Sequence, residues 1–412
     1  MLQKPFVIFH KIAVCSLVCL SVSIPGLSQA STSATSQEDI NKQLMDRIHE
    51  LESEVKELKE KQASPAPVPE PAPAPAIETP RPHVVADRLR LQIFGDVGYQ
   101  TGNQKGTTNS FRIGSFDMFM TARISEHVSA LGELVILPFS DNFVETDLER
   151  LELLYRYNEY FNFGVGRFHT SLGYYNTAYH HGEWLQTAIG RPLMFRFDDD
   201  GGFLPLQEIG FTTNGKLPSG KLGLSYVAEI GNGRRHVLDA EPAQNRTDNN
   251  NAKAFNLAII SHPSWVSGLQ LGFNFYHDRI TPTDPPNVAQ NIMLAHVVYT
   301  NSNYEWLSEG MLIRDAEVGG AIFHMPAFYT QFSRRFHSYR PYVRYAWQNA
   351  NDHDPIYDGT DGTPPIGRQE NFAAGLRYEL AEYAGVKLQY DRYARRGEPG
   401  WNQVATQFAF TF

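Results

Sequence analysis

The residues best placed to do chemistry are charged side chains at alternating positions. Arg340 and Arg344 flank Tyr342, and Arg377 falls on the same parity in the next period-two segment. Alternate residues of an extended chain share one face, so the three arginines share a surface if these segments are neighbouring strands. Arg88 and Arg90 open the first such segment, and a long intervening stretch carries Glu183, Asp198, Asp199 and Asp200. Bases on one side of a narrow aqueous passage and acids on the other would set up a transverse field that orients polar solutes and rejects apolar ones. The plainer reading is that these are solvated charges with no joint task. Asp117, Glu133, Glu229 and Glu379 share the same facing, so no preference for anions follows.

Other constellations are weaker. His180 and His181 are adjacent, so they point apart on most backbones. With His169 and Glu183 they lack the spacing of a metal site. The run NDHDPIYDGTDG lacks calcium-loop spacing and reads as an exposed loop. Asn245-Arg246-Thr247 matches a glycosylation acceptor. No motif marks a nucleophile with its base. The reading is of a protein that is not an enzyme and uses no cofactor and no metal.

Composition narrows the class. The 412 residues carry 36 basic and 45 acidic side chains, for a net charge of −9. The bases are dispersed, which excludes a nucleic-acid binder. Aromatics reach 12% although mean hydropathy is −0.36. A chain rich in rings yet polar on average needs an architecture that separates the two.

The N-terminal segments come in three kinds. Residues 1–30 read as a signal peptide: Lys4 and Lys11 precede the apolar IAVCSLVCLSVSIPGL, and Ser28 and Ala30 suit a cleavage site. Both cysteines lie there, so the mature chain has no thiol chemistry. Residues 37–62 carry Leu44, Ile48, Leu51, Val55 and Leu58 at alternating spacings of four and three, a coiled-coil seam. Residues 63–83 are proline at nearly every second position. Such a stretch is extended, and roughly twenty residues at ~3.1 Å each reach about 60 Å. It holds the coil away from the remainder of the chain.

From residue 84 to 412 the period is two. RLRLQIFGDVGYQ places Leu89, Leu91, Ile93, Val97 and Tyr99 on one face, with Arg88, Arg90, Gln92, Asp96 and Gln100 on the other. The pattern recurs about sixteen times, within a range of 14–18. Its weakest instances are Trp306 with Leu312, and Ala321 with Phe323 and Met325. Connections alternate in length: odd ones are mostly long and polar, even ones tight. The chain ends in NQVATQFAFTF, with Val404, Thr406, Phe408, Phe410 and Phe412 on one face.

Length-sorted loops, a polar mean and an oily terminal strand fit an antiparallel transmembrane β-barrel, whose outer face meets lipid and inner face meets water. Open sheet edges in lipid leave unsatisfied amides, so the last strand must close on the first. On these features the segment 84–412 resembles the bacterial outer-membrane porins, the sixteen-stranded general and phosphate-selective kinds included. The resemblance implies that Phe408, Phe410 and Phe412 form the signal read by the barrel-assembly machinery. It also implies that the connection 168–205, after the fifth strand, folds inward to narrow the pore. The function expected is passive diffusion of small hydrophilic solutes, from the outer membrane, with the coiled coil in the periplasm and a trimer formed through the barrel. The rival reading is a structural tether to peptidoglycan through the coil, and a third is a hydrolase at the barrel rim.

Overall fold

The computed structural model describes residues 88–138, 143–179, 182–197, 201–235, 247–281, 287–358 and 366–412, together with Arg47, Glu52 and Ser53. The chain divides into two compact units, Met1–Arg81 and Pro82–Phe412. In the first unit Arg47, Glu52 and Ser53 are helical. The signal peptide, the rest of the coiled-coil segment and the proline stretch lie outside the described residues.

The second unit is all-β. Its strands are β1 (Leu89–Gly102), β2 (Ser110–Arg123), β3 (Val128–Pro138), β4 (Val144–Arg156), β5 (Asn162–His169), β6 (Gln207–Lys216), β7 (Leu224–Gly231) and β8 (Ala254–Ser261). They continue as β9 (Leu269–Ile280), β10 (Val288–Thr300), β11 (Tyr304–Glu317), β12 (Ile322–Arg334), β13 (Tyr339–Asn349), β14 (Arg368–Ala381), β15 (Ala384–Arg395) and β16 (Trp401–Thr411). Each pairs antiparallel with its sequence neighbours, and β16 pairs with β1, closing a sixteen-stranded barrel. The closure reaches the last residue. Phe412 donates its amide to the Ile93 carbonyl (3.0 Å) and accepts from the Ile93 amide (2.9 Å).

Alternation sorts the faces. Phe408, Phe410 and Phe412 point outward and are exposed, while the alternate residues Ala405, Gln407, Ala409 and Thr411 are buried inside. The same order holds on β13, where Arg340, Tyr342 and Arg344 face in and Val343 faces out. Gly166 departs from it. Its φ of 138° is open to glycine, and a Cβ there would lie 1.9 Å from the Leu151 carbonyl oxygen. This irregularity leaves the consecutive Arg167 and Phe168 both buried.

Two expectations about the pattern need correction. Phe323 and Met325 face inward, whereas Ile322, His324, Pro326, Phe328 and Phe332 form the outer row of β12. Both faces of this strand are apolar, so parity alone could not assign them. The eleventh connection, residues 318–321, is a tight turn, so loop length does not alternate strictly around the barrel.

Candidate functional site

The inner wall has two kinds of surface. From β8 to β13 it is closely packed: Ile292 and Leu294 on β10, Leu307 and Ile313 on β11, and Met325 and Tyr329 on β12 are buried, interspersed with buried polar groups such as Asn274, Glu309 and Arg344. From β1 to β4 only the half beside the tight turns is polar and open; the other half buries Phe94, Asp96, Asp117, Glu133, Val135, Asp147 and Glu149. Arg90 and Gln92 on β1, Arg123 on β2 and Arg156 on β4 share the inward parity and are exposed; Thr121, Arg150 and Glu152 are half-buried. The connection between β5 and β6, residues 170–206, is what distinguishes them.

The described residues of that connection lie inside the barrel. Its Leu172, Tyr175, Leu193, Met194, Phe195, Phe203, Leu204 and Leu206 form one buried cluster with the apolar side chains of the closely packed wall. Each large apolar side chain fully removed from water contributes about 1.5–3 kcal/mol, so this contact alone disfavours an open loop. Tyr175 stacks on Phe195 (5.9 Å between centroids) and meets Tyr329 edge-on (5.8 Å). Burial raises the Tyr175 hydroxyl pKa above its ordinary value, and the hydroxyl donates to Gln186 Oε1 at 2.7 Å. Arg191 ties the connection to itself. It donates to the carbonyls of Tyr179 (2.7 Å) and Phe195 and lies 4.1 Å over the Phe197 ring.

Both ends of the crossing are pinned, by groups of opposite character. Residues 171–175 present backbone amides, including the start of the short helix α1 (Tyr174–Ala178). Acceptors on β7, β9 and β11 meet them. Ser171 donates to Glu229 (3.0 Å), Gly173 to Asn274 Oδ1 (3.2 Å), and Tyr174 and Tyr175 to the two oxygens of Glu309 (2.7 and 2.9 Å). Gly173 has φ 77°, and a Cβ there would lie 2.5 Å from Phe195 and 2.6 Å from Glu309 Oε2, so only glycine fits.

Residues 183–190 present backbone carbonyls, and cations on β13–β15 meet them. Arg344 donates to Gly190 (2.8 Å) and Ile189 (3.3 Å). Arg377 donates to Trp184 (2.7 Å) and Gln186 (2.8 Å), and Lys387 to Glu183 (2.7 Å) and Ala188 (3.2 Å). Gln389 exchanges bonds with the Ile189 amide (2.8 Å) and carbonyl (3.0 Å). The far edge reaches the barrel seam, where Gln407 donates to both Asp96 (3.0 Å) and Glu183 (3.2 Å).

The residues singled out in the sequence therefore separate. Arg340, Arg344 and Arg377 share the inward face, as parity indicates. Arg344 and Arg377 are 2% and 7% exposed, so they lie behind the connection rather than in the open bore. Arg340 pairs with Glu305 at 3.5 Å and reaches Thr187 Oγ1 at 3.5 Å. Glu183 is held 3.7 Å from Lys387. Arg88 precedes β1 and is exposed, and Arg90 faces the open side. Asp198, Asp199, Asp200, His180 and His181 lie outside the described residues. Sequence reasoning passed over Lys387, Gln389 and Glu309. Their parity was readable, since Lys387 and Gln389 alternate with Val386, Leu388 and Tyr390. Nothing local says that a distant loop supplies their partners. Among the described residues no group of three His, Cys, Asp or Glu side chains is arranged to hold a metal ion.

No protein-family model and no curated protein matches this chain. Solved structures do. The anion-selective porin from Comamonas acidovorans superposes with a TM-score of 0.57 at 11% identity, covering 79% of this chain and 99% of that one. The outer-membrane channel DcaP of Acinetobacter baumannii gives 0.54 at 10% identity, covering 79% and 97%. Salmonella typhi OmpF, in a complex with daunomycin, gives 0.54 at 12% identity with the same coverage. At these identities the likeness is one of fold: the chain shares the closed barrel of these porins.

Proposed function

We propose that the chain is an outer-membrane channel for passive diffusion of small hydrophilic solutes, narrowed by residues 170–206. The observation that carries this reading is the asymmetry of the bore. The connection crosses from Glu309 on β11 to Lys387 on β15, while the inward arginines of β1, β2 and β4 stay exposed to water. Solutes pass between the connection and that open wall. Arg88, Arg90, Arg123 and Arg156 line the passage at its tight-turn end, where the Arg123 amide donates to the Arg88 carbonyl. Arg340, Arg344 and Arg377 act on it by holding the connection in place, and Glu183 with Asp198, Asp199 and Asp200 contributes negative charge from the connection itself.

The same reading places the tight even turns and the coiled coil 37–62 in the periplasm, with residues 1–30 removed on export. It takes Phe408, Phe410 and Phe412 as the terminal signal for barrel assembly, a trimer as the functional unit, and peptidoglycan as the contact of the coil. Support comes from the porin fold, the apolar outer face and the closed seam at Phe412. Single-channel recording in a planar bilayer tests it. Stepwise, salt-dependent conductance is expected. A correctly folded, inserted barrel with no conductance would overturn the channel reading and favour a tether.

A further inference from the structure

The outer face of the barrel should be apolar where it meets lipid, because an Arg or Lys at the midplane costs about 2–4 kcal/mol. Four consecutive strands carry a polar row on that face. His277 on β9 is directly opposite Asn291 on β10, Asn291 is opposite Arg314 on β11, and Arg314 is opposite His324 on β12. All four have outward parity, since their neighbours Tyr276, Asp278, Gln290, Ile292, Ile313, Asp315 and Met325 are buried inside. His277 Nδ1 lies 2.9 Å from Asn291 Oδ1, and its ring packs 5.4 Å from Phe255. Arg279, one alternation nearer the strand end, is also outward and exposed. At a strand separation of about 4.8 Å the row is roughly 15 Å wide.

Its height is informative. The next rows down are apolar: Phe275, Met293, Leu312 and Pro326, then Phe273, Ala295, Gly310 and Phe328. Lower still, Tyr299, Trp306 and Phe332 form an aromatic row beside the tight turns. From Trp306 to Arg314 along β11 is about 27 Å at roughly 3.4 Å per residue. At a tilt of ~40° that is roughly 20 Å along the membrane normal, close to the height of an outer-membrane barrel's apolar band. The polar row therefore sits at the upper edge of that band, where acyl chains give way to headgroups. Among the described residues no carboxylate shares this outer face at that level. Arg314, flanked by the two histidines, presents donors and positive potential to whatever lies beside the wall, and Arg279 stands one row higher, where Asn250 donates to its carbonyl and the nearby Asp248 is paired with Lys253.

We infer that Arg279, Arg314, His277 and His324 form a binding site for the phosphate of an outer-leaflet lipid headgroup. Guanidinium groups match phosphate oxygens in two-point hydrogen bonds. The acyl chains of the same lipid would lie against the apolar rows beneath. The inference rests on the proposed orientation, with the tight turns in the periplasm.

The experiment uses the full chain in detergent, with an acylated disaccharide carrying two phosphates as probe and its dephosphorylated form as control. Native mass spectrometry counts retained lipid. The wild type is expected to retain the phosphorylated probe about ten-fold better than the control. R279A/R314A/H324A is expected to lose that preference while keeping the wild-type conductance. Equal retention of both lipids by the wild type would overturn the inference, as would an undiminished preference in the variant. Loss of a wild-type oligomer in the variant without any change in lipid preference would also overturn it, marking the row as a subunit contact. Competition by inorganic phosphate without any requirement for acyl chains would assign the site to free phosphate instead of lipid. Planar-bilayer recording of the same samples keeps the two readings apart: a conducting barrel without phosphate preference sinks only the lipid site, and a barrel that never conducts sinks the channel.

Discussion

The two anchors of the β5–β6 connection solve the same problem in opposite ways. Residues 171–175 turn amides toward the wall and meet carboxylates and an asparagine. Residues 183–190 turn carbonyls toward the wall and meet two arginines, a lysine and a glutamine. A buried backbone group without a partner costs about 1–3 kcal/mol, so a loop without regular secondary structure can cross a barrel only if the wall supplies partners. Here the wall's charge follows the polarity of the backbone it faces. The acidic anchor is backed by the apolar cluster of Tyr175, Phe195 and Tyr329. The basic anchor lies nearer the barrel seam at Gln407 and depends more on its charged hydrogen bonds.

That difference predicts unequal consequences. Replacing Arg344, Arg377 and Lys387 together with Met should release residues 183–190, because several charge-assisted bonds worth about 1.5–3 kcal/mol each are lost. Conductance should rise at least about two-fold if the connection narrows the bore, and protease should cut the freed segment. Unchanged conductance and protection would mean that apolar packing holds both anchors, and the contrast would fail.

Glu309→Ala should have a smaller effect. It strips the amides of Tyr174 and Tyr175 of their acceptor, at about 2–3 kcal/mol locally, but the aromatic cluster remains. A modest increase in current noise with little change in mean conductance is expected. A larger opening than in the triple variant would reverse the ranking of the anchors.

Smaller still is the effect of the open wall. Arg90, Arg123 and Arg156 changed to Ser should leave thermal stability unaltered, since these side chains are exposed. Reversal potentials in a salt gradient should shift toward cations. The shift should fade near 1 M salt, where the screening length is about 3 Å. No shift at low salt would remove these arginines from the passage.

The mildest expectation concerns Asp354, in the connection after β13. Burial first, and then the charge of the neighbouring Asp315, hold its carboxyl well above the usual aspartate range. A folded-state value above the unfolded one means that docking is strengthened by protonation. That contribution is complete below the ordinary value of 3.8 and is lost as pH rises through the elevated one. Tyr357, which meets Phe203 of the crossing connection edge-on at 5.9 Å, should then become more accessible to a quencher at alkaline pH. Asp354→Asn should abolish the pH dependence. A pH-independent Tyr357 signal in the wild type would show that the carboxyl does not control this contact.

What the sequence determined by itself was the repeating geometry. Side chains alternate strictly in a strand, so Leu89 to Tyr99 and Val404 to Phe412 disclosed a two-faced sheet. An oily final strand required a closing partner, and that partner is β1. Parity also placed Arg340, Arg344 and Arg377 on the inner face. It was silent where both faces of a strand are apolar, as at Phe323 and Met325 on β12, because alternation carries no information without contrast. Only the tertiary structure decided what the inner charges do. The connection supplies its carbonyls to Arg344 and Arg377 from more than 150 residues away in sequence. An arginine facing water and an arginine facing a backbone carbonyl are written with the same letter. The choice between them is made by which desolvated group happens to lie opposite, and that is a property of the closed barrel.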